Sequence, residues 1–98
     1  MERPLMVEVR DNPAMSRFEM AEGGSTAFVA YRREGSRMVL THTEVPEAMT
    51  GQGVGSKLVR GVLDRLRQEG VTVLPRCEFV AAYFERHPEY RDLLVGPG

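Results

Sequence analysis

The sequence has little cysteine, little net charge and no long apolar run. Its single cysteine, Cys77, excludes a disulfide within the chain, whereas small secreted domains usually carry several cysteines. The 13 basic and 14 acidic residues leave a net charge of -1, which argues against nucleic-acid binding through a broad basic surface. No run is long enough to cross a bilayer, and the opening residues show no signal-peptide core. We therefore expect a cytoplasmic protein with no nucleic-acid or membrane partner.

Metal-binding patterns are missing as well. The two histidines and one cysteine lie far apart and lack paired-ligand spacing, so we expect no metal. What is present is typical of a folded protein, with 42% hydrophobic and 28% charged residues. The 98 residues suffice for a single domain, 1–98, whose core we expect over about residues 5–94.

The first half of the chain has the alternating pattern of strands. Turn-forming residues divide it into four candidate strands, which cover residues 5–10, 15–20, 26–33 and 37–45. The first is expected to stop at the turn sequence Asp11-Asn12-Pro13. Four strands joined by short turns predict an antiparallel meander.

The second half changes to helical spacing. Apolar residues from Val54 to Leu66 form one stripe, and Gly70 is a suitable helix end. A short apolar strand over 71–74 follows, then a second helix that ends before Pro88. Residues 90–94 can add one further packed turn. The order β-β-β-β-α-β-α predicts an α+β fold, a mostly antiparallel sheet with helices packed on it, in which the strands flanking the first helix pair in parallel.

The turn Gly51-Gln52-Gly53-Val54-Gly55-Ser56 lies between a predicted strand and a predicted helix. Glycine permits positive φ and close approach of a ligand, and a helix N-terminus offers unpaired N–H groups to an anion. The spacing alone fits an ordinary loop equally well. A Walker A loop is excluded because Lys57 follows Ser56 rather than a glycine, and a dinucleotide fingerprint is excluded because position 56 is serine.

Two groups of residues carry a family resemblance. Residues 39–46 and 51–59 resemble motif A of the GNAT acetyltransferases, and residues 75–80, with Tyr83 and Arg86-His87-Pro88-Glu89-Tyr90, resemble a family of very short GNAT-like proteins. The resemblance extends from about Phe28 to Leu94. It implies a minimal GNAT-like fold and an N-acetyltransferase that uses acetyl-CoA as co-substrate and an amine as acceptor.

The resemblance also implies which residues hold coenzyme A. The turn amides of Gly51, Gln52, Gly53, Val54, Gly55 and Ser56 correspond to the pyrophosphate site, and backbone groups of Thr43, Glu44 and Val45 correspond to the pantetheine site. The chain departs from the family in two ways. Thr50 stands where the superfamily usually has Arg or Gln, and the helices that shape the acceptor site between the first strands are missing. The resemblance therefore does not imply which amine is the acceptor.

Four residues are candidates for the chemistry of transfer. Cys77 is predicted at a helix N-terminus, which stabilises a thiolate, and it can carry an acetyl group or protonate the leaving thiolate; a buried structural cysteine is the alternative. His42 and Glu44 alternate on the fourth strand, on the face predicted for Met38 and Leu40, and either can act as a general base or simply be solvated. Tyr83 shares the apolar stripe of its helix, although its hydroxyl can reach the thioester from there.

Three functions therefore stay open at this point. The first is an N-acetyltransferase, the second a non-catalytic acyl-CoA-binding module or sensor, and the third a structural domain whose glycine turn is only a turn. We expect a monomer or a weak homodimer, because a short open sheet leaves an edge that a second copy can cover.

Overall fold

The computed structural model describes residues 9–51 and 53–94. Its strands are β1 (Arg10–Asn12), β2 (Arg17–Glu22), β3 (Ser25–Glu34), β4 (Arg37–Glu44) and β5 (Thr72–Pro75). Its α-helices are α1 (Val54–Glu69) and α2 (Glu78–Arg86), and two short 3-10 helices cover Glu47–Met49 and Pro88–Leu93. The predicted α+β fold and the order of its elements are confirmed.

One five-stranded sheet contains all of these strands, in the order β1-β2-β3-β4-β5. The pairs from β1 to β4 are antiparallel, which confirms the meander. The β4–β5 pair is parallel and α1 connects its two strands, as predicted from the order of strand, helix and strand. The chain therefore enters α1 from the end of β4 and α2 from the end of β5.

The core lies on one face of the sheet. Strand residues that alternate inward share one hydrophobic cluster with the apolar stripes of both helices. The fully buried members include Phe18, Val29, Leu40, Leu63 and Val73. The cluster takes residues from β2 to β5, both α-helices and both 3-10 helices. A single shared core is what a domain of this size needs, because its buried surface is limited.

The first strand is the main correction to the predicted elements. Residues 5–8 lie outside the described part of the chain, and β1 instead contains Asp11 and Asn12, which were expected to form a turn. Side-chain bonds explain the difference: Asp11 accepts a hydrogen bond of 2.7 Å from the Tyr31 hydroxyl, and the Asn12 amide donates to Glu19 at 2.9 Å. These contacts hold turn-forming residues in a strand, and the turn moves to residues 13–16.

Candidate functional site

The loop between β4 and α1 is anchored at both ends. Val45 packs against the core after β4, and Met49, in the 3-10 helix, is buried in it. The Thr50 hydroxyl donates a hydrogen bond of 2.9 Å to the Glu47 carbonyl. The Thr50 side chain thus caps the short helix, and the glycine turn begins directly after this hydrogen-bonded residue.

The first two glycines of the turn are required by backbone conformation. Gly51 has φ of +84° and Gly53 has φ of +69°, in the region that favours glycine. A Cβ atom on either residue would meet nothing within 4 Å. The space beside the turn is therefore open, and packing does not explain these two glycines. Gln52, predicted to contribute an amide, lies outside the described residues.

The N-terminus of α1 is left without a protein partner among the described residues. Gly53 is the N-cap and supplies no side-chain cap, and the first turn of the helix contains no acidic residue. Val54 is buried in the core, so only its backbone can face a ligand, whereas Ser56 and Lys57 are exposed. Unpaired N–H groups and the positive end of the helix dipole make this end able to bind an anion.

Gly55 is small for a different reason. It is helical, and a Cβ atom on it would lie 2.6 Å from Cζ of Phe79 in the first turn of α2. The third glycine of the turn therefore lets the two helix N-termini pack closely. The sequence pattern predicts the second helix but not this contact, for which the aromatic residue two positions after Cys77 was the available signal.

The edge of β4 opens next to this turn. Strand β5 pairs with β4 only from Arg37–Thr72 to Leu40–Pro75, and the chain then leaves the sheet. The backbone N–H groups of Arg76 and Cys77 both donate to the Leu40 carbonyl, at 2.9 and 3.1 Å. Beyond Leu40, β4 pairs with β3 alone, so its outer edge lies open between the end of β5 and the turn.

Cys77 lies at that opening as the N-cap of α2. Its thiol donates a hydrogen bond of 3.3 Å to the Thr43 hydroxyl, and its side chain is half-buried against the core. The predicted place of Cys77 at a helix N-terminus is confirmed. The structure thus brings Cys77 and Thr43 together across the gap where β4 and β5 separate.

His42 and Glu44 lie on the other face of β4, which corrects the face predicted for them. Tyr31 pairs with Leu40, but Ala30 pairs with His42, so Thr41 is an extra residue in a β-bulge. The bulge resets the alternation, and Thr43, opposite Val29, takes the inward face instead. The side chains of His42 and Glu44 are 60% and 59% exposed, with 3.9 Å between Nε2 and Oε1.

Tyr83 is part of an aromatic cluster beside the C-terminal 3-10 helix. It is 3% exposed, and its ring stacks on His87 at 4.1 Å and lies 6.0 Å from the Tyr90 ring. Burial raises the pKa of Tyr83. The backbone N–H of Glu89 lowers the pKa of its own carboxyl, and His87, 3.3 Å away, adds to this effect. His87 is the C-cap of α2.

In residues 9–51 and 53–94, no helix is long and apolar enough to span a membrane. The same residues contain no group of three or more His, Cys, Asp or Glu side chains placed to hold a metal ion.

Comparison with known proteins gives matches of three kinds: a family, relatives in sequence and a solved structure. Residues 17–93 match the profile of a family described as GCN5-related N-acetyl-transferase. Protein NATD1 from Gallus gallus and from Mus musculus is 33% identical over 63 residues, which cover 63% of this chain and 57% of each relative. The chain thus aligns with little more than half the length of these relatives. The NMR structure of a GCN5-like protein from Staphylococcus aureus has a TM-score of 0.70 at 24% identity, over 97% of this chain and 94% of that one, a likeness of fold.

Proposed function

Because the chain belongs to the GCN5-related N-acetyltransferase family, we propose that it transfers an acetyl group from acetyl-CoA to an amine. One observation carries the proposal beyond family membership. The uncapped N-terminus of α1 adjoins the unpaired outer edge of β4, and Cys77 lies at that edge. An uncapped helix N-terminus, an open strand edge and a thiol thus follow one another around the end of β4, and they support the proposal.

The two ends of acetyl-CoA would bind to different parts of this series. The pyrophosphate would accept hydrogen bonds from the amides of the turn, Gly51 to Ser56, with no cationic side chain required. The pantetheine amides would pair with the backbone of Thr43, Glu44 and Val45, as an added strand pairs with a sheet edge. The thioester would then lie near Cys77.

The reaction needs only these groups and the acceptor. The lone pair of a neutral amine attacks the thioester carbonyl carbon, so that a C–N bond forms while the C–S bond breaks. The sulfur leaves with the bonding electrons as the CoA thiolate, which takes up one proton, and the amine nitrogen gives up one proton. The products are an N-acetylated amine and free CoA, and backbone N–H groups near the carbonyl oxygen would stabilise its developing charge.

We assign to Cys77 the role of general acid, which donates a proton to the CoA thiolate. Its thiol already donates a hydrogen bond to the Thr43 hydroxyl, which supports a role as a proton donor at the open edge of β4. The proton released by the amine, carried through solvent, restores the thiol. An acetyl group carried covalently by Cys77 is the alternative chemistry.

The other predicted catalytic residues remain predictions. The bulge turns His42 and Glu44 away from the Cys77 face, so either would act on the amine through water around the strand end. The stacked position of Tyr83 favours its packing role over contact with the thioester.

The proposal is tested first by binding. Acetyl-CoA at millimolar concentration should raise the melting temperature, because a ligand that binds only the native state stabilises it. Absence of any shift would contradict the proposal. A shift without turnover across a broad panel of amines would instead support an acyl-CoA-binding module or sensor.

Turnover then tests the role of Cys77. Cys77→Ala should lower kcat by roughly 100-fold or more, as expected for loss of a general acid, and should change the melting-temperature shift little. Equal rates in the variant would make Cys77 structural. Intact mass after incubation with acetyl-CoA alone separates the two chemistries, because only covalent catalysis adds an acetyl group to the protein.

A further inference from the structure

Phe79 is an exposed aromatic residue in an unusual place. Its side chain is 37% exposed, and among the described residues Met15 is the other large hydrophobic side chain that is exposed. Single exposed apolar residues are common and carry no weight alone. Phe79, however, lies two residues after Cys77 and packs its ring across Gly55, the third glycine of the turn.

The ring therefore lies between the two ends of the candidate site. One edge of the ring contacts the first turn of α1, where Gly55 leaves room for it. The helix that carries the ring begins at Cys77, whose thiol contacts Thr43 at the open edge of β4. The ring thus adjoins both the first turn of α1 and the helix end that carries Cys77.

Coenzyme A has one compact apolar group in that interval. Its pantoate carbon, attached through a methylene to the pyrophosphate, carries two methyl groups, whereas the remainder of pantetheine is dominated by two amides. An aromatic ring beside the pyrophosphate-binding amides matches those methyl groups in position and in chemistry, because burying them against the ring removes apolar surface from water.

We propose that Phe79, seated on Gly55, is a specificity-determining residue that binds the two methyl groups of the pantoate unit of CoA; this rests on the proposed function. Phe79 then selects a pantetheine-bearing ligand over a plain nucleotide diphosphate. The glycine turn holds the phosphates of either ligand, and the ring recognises only the one with the arm.

The experiment compares two ligands by isothermal titration calorimetry. CoA contains the pantetheine arm, and 3′-phosphoadenosine 5′-diphosphate is the same nucleotide without it. Phe79→Ala should weaken CoA binding about tenfold, the effect of two buried methyl groups, and should change the affinity for the nucleotide less than about twofold. Phe79→Leu should recover most of the affinity for CoA, since it restores an apolar side chain.

The outcomes separate the two proposals. If the unaltered protein binds neither ligand, the proposed function fails. If it binds CoA and Phe79→Ala binds CoA equally well, or loses both ligands alike, the assignment of Phe79 is overturned. Met15→Ala is the control, because Met15 is the other exposed large hydrophobic residue among those described and lies in the turn between β1 and β2, and it should alter neither affinity. Far-UV circular dichroism establishes whether Phe79→Ala is folded. If it is not, Phe79→Gln provides the test, because a polar side chain of similar length should likewise weaken binding of CoA and leave that of the nucleotide unchanged.

Discussion

The two ends of α1 differ in how their backbone groups are satisfied. At the C-terminus, the N–H of Gly70 donates to the Arg67 carbonyl and that of Val71 to the Leu66 carbonyl, each at 3.2 Å. This is a Schellman motif, with Val71 packed on the core. At the N-terminus, by contrast, the N-cap is Gly53, which has no side chain to accept a hydrogen bond, and the first turn has no acidic residue.

Side chains strengthen the difference between the ends. Asp64 accepts a hydrogen bond of 2.7 Å from the Tyr90 hydroxyl, and Arg67 bonds to Asp92 and to the Glu89 carbonyl while its guanidinium covers the Tyr90 ring. The last turns of α1 are thus braced by the C-terminal 3-10 helix. The C-terminal end of α1 is thus held by side-chain and backbone contacts, whereas the N-terminal end has no side-chain cap.

The sharpest test substitutes the same residue at both ends. Gly53 and Gly70 have nearly equal conformations, with φ of 69° and 74° and ψ of 21° and 22°. A Cβ atom at either position meets nothing within 4 Å. Gly53→Ala and Gly70→Ala should therefore each lower the free energy of unfolding by about 1–2 kcal/mol, the strain of a left-handed residue.

Only Gly53→Ala should also weaken the response to acetyl-CoA. Urea unfolding should show the same loss of stability in both variants. Calorimetry with acetyl-CoA should show weaker binding in Gly53→Ala alone. Equal acetyl-CoA affinities in the two variants would mean that the open end of α1 is not the pyrophosphate site.

The same contrast shows what local patterns can predict. The length of α1 and its end at Gly70 follow from apolar periodicity and from the conformational freedom of glycine, both of which are local properties. The positive φ values of Gly51 and Gly53 are likewise predictable from a local property, the conformational freedom of glycine. The strand order also follows, because short turns favour antiparallel neighbours and a helix connects parallel ones.

The features that could not be predicted from the sequence depend on contacts between distant residues. The bulge at Thr41 arises from the pairing of β4 with β3. Because of it, Thr43 rather than His42 lies on the inward face of the sheet. Likewise, Gly55 is a packing residue because of Phe79, on another helix. Periodicity within one strand or one turn contains no information about such partners, so the side-chain arrangement of the candidate site was harder to predict than the fold.

A smaller effect is expected from the brace at the closed end. Tyr90→Phe removes the hydrogen bond to Asp64 and should lower the free energy of unfolding by about 1 kcal/mol at neutral pH. Burial, aided by the bond to Asp64, raises the pKa of Tyr90 to about 12. The unfolded phenol titrates near 10, so this stabilisation is complete below pH ~10 and is lost as the pH rises toward 12.

The pH dependence identifies the source of that loss. Burial and a bond to Asp11 also raise the pKa of Tyr31 to about 12, so both tyrosines make the protein less stable between pH 10 and 12. Tyr90→Phe and Tyr31→Phe should each flatten the decline, measured by urea unfolding at pH 9, 10 and 11. A slope unchanged in Tyr90→Phe would contradict the contribution assigned to that hydroxyl. Neither variant should alter acetyl-CoA affinity, because both hydroxyls bond away from the glycine turn.

The smallest effect should come from Arg67. Its side chain is 40% exposed and that of Asp92 is 64% exposed, so solvent screens the pair and Arg67→Ala should cost no more than about 1 kcal/mol. A double-mutant cycle with Asp92→Ala isolates the ion pair, and a coupling energy that falls in high salt would identify it as electrostatic. Acetyl-CoA affinity should be the same in all four proteins of the cycle. A variant that lowered this affinity would show that the braced end of α1 influences the open end, and the two ends would then have to be treated as one unit.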